Sequence, residues 1–110
     1  MNTAPREETT AERWARAELY FDAKQYSDAA PIIAEVVAET PGQVAPRLLL
    51  ARAYYHSAQL GRAEAQLREL IELDPVEPYA HLLLGRTLQR QGRTEQARGP
   101  LRIAAALGLA

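Results

Sequence analysis

Ala29, Ala63 and Ala97 stand 34 residues apart, and the residues around them keep the same step. Ala17, Ala51 and Gly85 share it, as do Tyr20, Tyr54 and Leu88, then Ile33, Leu67 and Leu101, and the pair Pro41 and Pro75. Several registers held in phase mark a repeat array, in which each unit buries its apolar face only against its neighbours. Such arrays leave a curved surface for other molecules rather than an enclosed cleft.

Three units of 34 fill nearly all of the 110 residues, so the chain reads as one domain. The expected organisation is a flexible lead-in over 1–9 and a single domain over 10–110, with units at about 10–43, 44–77 and 78–110. Hydrophobic residues make up 47% but aromatics only 6%, so alanine and leucine supply the apolar mass, as in close-packed helices.

Thr9 with Glu12 forms a capping box for a first helix reaching about Ala23. Ser27 and Asp28 are expected to cap a second helix, which Pro41-Gly42 ends, with Pro31 in or just past its first turn. Pro46 begins a third helix, and Gln59-Leu60-Gly61 makes the turn into a fourth running from about Arg62 to Leu73. Pro78 opens a fifth, ended by the turn Gln91-Gly92-Arg93, and Thr94 caps a sixth ending near Leu107. Gly99-Pro100 is expected to bend or loosen the early part of that last helix.

The stretch LLARAYYHSAQLGRAEAQLRELIELDP, residues 49–75, resembles the tetratricopeptide repeat (TPR) family. Counted from Val44, the family's Trp, Leu, Gly, Tyr, Ala, Phe and Pro positions fall on Arg47, Leu50, Ala51, Tyr54, Ala63, Leu67 and Pro75, and Arg47 alone breaks the pattern. The third unit holds His81, Leu84, Gly85, Leu88, Ala97 and Leu101, with Leu109 at the proline position; the first holds Arg13, Arg16, Ala17, Tyr20, Ala29, Ile33 and Pro41. The resemblance implies an all-α, right-handed superhelical solenoid of three antiparallel helix pairs. Small residues at Ala17, Ala51 and Gly85 suit the close crossing of two helices.

In that family, protein segments lie in a concave groove lined by the first helix of each pair. The corresponding residues here are Trp14, Glu18 and Phe21, with Ala11 and Asp22; Leu48, Arg52, Tyr55 and His56, with Ala45; and Tyr79, Leu82, Arg86 and Arg90, with Gln89. An apolar and aromatic floor beside arginines favours a peptide or protein partner with apolar anchors and acidic groups. The clamp that some members use to hold the chaperone carboxyl terminus is not matched, because its positions hold Trp14, Glu18, Leu49, Tyr79 and Leu83.

Other function classes find little support. His56 and His81 lie in different units, and His81 occupies a packing position, so no catalytic residue, metal site or cofactor is expected. The absence of cysteine removes thiolate chemistry and cysteine-ligated zinc. A net charge of -1, with glutamates interrupting the arginines, argues against nucleic acid, and no apolar run is long enough for a membrane span. The expected location is the cytoplasm, and one lysine among thirteen basic residues hints at the codon usage of a GC-rich bacterial genome. Charge is uneven, with residues 1–43 at -4 and the rest at +3. Leu101, Ile103, Ala104, Leu107 and Leu109 read as an uncovered apolar end, so self-association of an assembly subunit is the alternative function, with a small chaperone-like adaptor as a variant.

Overall fold

The computed structural model describes residues 7–109, so most of the expected lead-in and Ala110 lie outside the described residues. Six helices follow one another: α1 (Thr10–Asp22), α2 (Tyr26–Glu39), α3 (Val44–His56), α4 (Leu60–Leu73), α5 (Pro78–Arg90) and α6 (Thr94–Ala106). They form three antiparallel pairs, each packed on the next, in an elongated body of 62 × 24 × 19 Å. The capping box forms, with the Glu12 amide donating to Thr9 Oγ1 at 3.1 Å and the Thr9 amide to Glu12 Oε1 at 3.0 Å.

The turn inside each pair repeats with the sequence. Lys24, Ala58 and Gly92 take left-handed backbone at φ 61°, 60° and 77°. Just beyond each of them an amide reaches back to the preceding helix: Gln25 to the Tyr20 carbonyl at 2.9 Å, Gln59 to Tyr54 at 2.8 Å and Arg93 to Leu88 at 2.8 Å. The same residues then open the next helix, their carbonyls accepting from the amides of Ala29, Ala63 and Ala97. This corrects three boundaries. Ser27, Asp28 and Thr94 lie inside their helices rather than capping them, because the turn leaves no room for a separate cap, and Leu60-Gly61 is helical. Pro31 and Pro100 also sit inside α2 and α6, and both helices run through them.

Two core clusters form, one from α1, α2 and α3 around Ala17, Ile33 and Leu50, the other from α3 to α6 around Ala51, Leu67, Leu84 and Leu88. The crossing is close: a Cβ on Gly85 would lie 2.5 Å from the Leu101 side chain, which would have to shift. Where the family has a packing tryptophan, each unit here has a hydrogen-bond donor. Arg13 Nη1 donates to the Glu8 carbonyl at 2.7 Å and Arg47 Nη2 to the Pro41 carbonyl at 3.0 Å, while His81 Nε2 lies 2.7 Å from the Pro75 carbonyl. A carbonyl only accepts, so that histidine nitrogen carries the proton. His81 is therefore buried and structural, at 5% exposure.

Left-handed backbone costs a residue with a Cβ about 1–2 kcal/mol, part of which glycine returns through unfolded-state entropy. Ala58→Gly should therefore stabilise the fold by about 0.5–1 kcal/mol and Gly92→Ala should destabilise it by a similar amount. Thermal or urea unfolding measures both; equal stability of Ala58→Gly and wild type would show that the strain does not exceed the entropic cost of glycine.

Candidate functional site

The concave candidates lie on α1, α3 and α5, and the structure joins most of them into one surface. Phe21 forms its base. It is only 9% exposed and belongs to the first core cluster, so it supports the surface from beneath rather than standing open as a contact, a correction that follows from its packing against α2. The Arg52 guanidinium lies over its ring at 4.9 Å. Across the surface, Arg90 lies 4.7 Å over the Tyr55 ring and donates to the Tyr55 carbonyl at 2.9 Å, tying α5 to the end of α3. His56 sits between these pairs, 6.3 Å from Phe21 and 5.5 Å from Tyr55, both edge to face.

One member of this cluster was not read from the sequence. Tyr26, the first residue of α2, stacks on His56 at 4.6 Å and meets Phe21 edge-on at 5.1 Å. Its register holds Leu60 and Thr94 in the later units, so no repeated pattern announces it. The only available signal was an aromatic residue straight after the turn.

Leu48, Arg52 and Tyr79 line a depression of 240 Å³ beside the cluster, and Tyr79 is 54% exposed. Leu82 is half-buried on the same helix as Tyr79. Trp14 is set apart, in a second depression of 380 Å³ formed with Ala11, Val36, Thr40, Ala45 and Pro46 among others. Glu18 and Arg86 are exposed, and their side chains make no hydrogen bond or ion pair among the described residues. Arg52 is likewise unpaired, since its stacking on Phe21 uses the face of the guanidinium and leaves the N–H edge for a carboxylate. Other arginines are engaged: Arg93 binds Glu64 at 2.7 Å and Arg98 binds Glu95 at 3.2 Å.

The expected apolar end is less open than its composition implied. Ala104 is fully buried, and Leu101 is half-buried against the second core, because both face back into the α5–α6 pair. Leu109 is half-buried, its amide bonded to the Ala104 carbonyl. Ile103 and Leu107, 45% and 37% exposed, occupy the registers of Glu35 and Glu69 and of Glu39 and Leu73, which face solvent in the earlier units. Among the described residues no cluster of acidic residues and histidines is arranged to hold a metal, and no helix is long and apolar enough to cross a membrane.

A sequence model of the tetratricopeptide repeat matches residues 20–86. No curated protein matches the chain. Among solved structures, MamA from Desulfovibrio magneticus RS-1 (residue 41 to the end) is similar at 25% identity and a TM-score of 0.85, over 91% of this chain and 56% of that one. A point mutant of MamA is 20% identical at a TM-score of 0.87, over 97% of this chain and 78% of that one. MamA MSR-1 is 19% identical at 0.86, over 90% and 57%. The chain thus spans just over half the length of the first of these structures.

Partial desolvation among the rings, then the charges of Arg52 and Arg90, hold the His56 imidazole below its ordinary value. A depressed folded-state value means that the stability tied to neutral His56 is whole above the unfolded value of about 6.5 and is lost as the pH falls through the folded one. An NMR titration should place the His56 midpoint below about 6.5, and Arg52→Gln should raise it. A midpoint at or above that of an unfolded histidine would contradict this electrostatic reading.

Proposed function

Because this chain belongs to the tetratricopeptide repeat family, a non-catalytic protein-interaction fold, we propose that its concave face binds a segment of a protein partner. The observation that carries the proposal is the depression between Leu48, Arg52 and Tyr79, beside the Tyr55 and His56 rings and with the unpaired guanidinium edge of Arg52. An aliphatic or aromatic anchor fits the depression, and a carboxylate fits the edge of Arg52 or Arg86. Trp14 offers a separate apolar depression at the start of α3.

Selection of a random-peptide phage library on the purified chain should enrich sequences that place an acidic residue near an aliphatic or aromatic one. The Arg52→Glu, Arg86→Glu double variant should bind the enriched peptides at least about tenfold more weakly, with an unchanged helical circular dichroism spectrum. Enrichment without acidic residues, or equal binding by the double variant, would sink the groove reading.

A second reading, head-to-tail self-association, is favoured by the two ends of the array. Leu19 is 73% exposed, yet its register partners Ala53 and Thr87 are fully buried. Leu101 is half-buried where Ile33 and Leu67 are fully buried. Residues 7–43 carry three cations and eight anions, net -5, while residues 78–109 carry five cations and one anion, net +4. Only contact between unlike ends brings opposite charges together, which makes the interface heterologous. Light scattering after size exclusion should show mass rising with concentration, reversed by Leu19→Glu and by high salt. A monomer at every concentration would refute the reading.

A further inference from the structure

The groove carries two charge ladders in register with the repeat. Glu18, Arg52 and Arg86 occupy one position of α1, α3 and α5, and Asp22, His56 and Arg90 occupy another, each set 34 residues apart. Both ladders therefore run from a carboxylate on α1 to a guanidinium on α5. All six residues are exposed. Neither ladder is neutralised internally: Glu18 and Asp22 have no ion-pair partner among the described residues, and Arg52 spends its face on Phe21 rather than on either acid.

Distance keeps the two ends independent. Packed helices lie about 8–10 Å apart, so α1 and α5 are separated by roughly 20 Å across α3. The screening length at physiological ionic strength is about 8 Å, so the acidic and basic ends act as separate subsites. An extended segment advances about 3.3 Å per residue, and some six or seven residues cover the span.

We infer that the groove selects a charge-segregated segment, with cationic residues or an amino terminus over Glu18 and Asp22, an apolar centre over the α3 surface, and anionic residues or a carboxyl terminus over Arg86 and Arg90. This rests on the groove reading above and sharpens it. A uniformly acidic partner gains at α5 and is repelled at α1; a uniformly basic one meets the reverse. The apolar centre falls where Leu48 and Tyr79 border Arg52.

Fluorescence anisotropy with labelled, terminally blocked synthetic peptides tests this. All share an Ala-Leu-Tyr-Leu-Ala centre: one has two lysines before it and two glutamates after, one has the reverse order, one has a lysine and a glutamate at each end, and one has two glutamates at each end. Both segregated peptides, either of which can lie in the groove with its charges matched, should bind about tenfold more tightly than the mixed and all-acidic ones at low salt, the gap closing at high salt. Glu18→Arg, Asp22→Arg should invert the ranking in favour of the all-acidic peptide. If the all-acidic peptide binds wild type as well as the segregated ones, and the double variant changes nothing, the charge-order inference is overturned while groove binding stands. If no peptide binds, or Arg52→Glu, Arg86→Glu leaves binding unchanged, the groove reading fails and this inference with it.

Discussion

Two helices of a pair approach only as closely as the side chains at their crossing allow. At Gly85 the Leu101 side chain occupies the space a Cβ would need, and Ala17 and Ala51 hold the same register, fully buried. A larger residue there would have to displace the partner helix or force its side chain off rotamer, at a typical cost of about 1–3 kcal/mol. The pair spacing set at these points fixes how far α1, α3 and α5 stand from the second layer. The concave residues follow from that spacing, because Phe21, Tyr55 and His56 lie on the turn of helix just beyond it.

The repeat made the fold legible because it is a pattern of size. Small residues recur at the crossings and large apolar ones recur beside them, and both survive in the linear sequence. Conformation was harder to read. Lys24 and Ala58 take the left-handed backbone that glycine announces only at Gly92, and nothing in a lysine or an alanine signals it. The helix starts at Tyr26, Leu60 and Thr94 were misjudged for the same reason, since a tight turn supplies what a capping side chain otherwise would.

The candidate site was legible wherever one helix face decides it. Arg52, Tyr55, His56 and Arg90 come together as the spacing requires, with Phe21 beneath them. Tyr26 was invisible because it reaches the cluster from the other layer, through a turn rather than along a face. The apolar end is legible only in part: Leu101, Ile103, Ala104 and Leu107 are adjacent in sequence but divide between the core and solvent once wound onto a helix, leaving Ile103 and Leu107 exposed.

Of the donors that stand in place of a packing tryptophan, Arg47 and His81 lie at the joints between units, holding the chain just before α3 and α5 through the carbonyls of Pro41 and Pro75, while Arg13 holds the Glu8 carbonyl before α1. Packed indoles tolerate some sliding, whereas a hydrogen bond weakens steeply once its angle is lost. Directional bonds therefore hold the chain where it enters α3 and α5. If the inner surface binds as proposed, drift at Arg47 or His81 would change its shape without altering a contact residue.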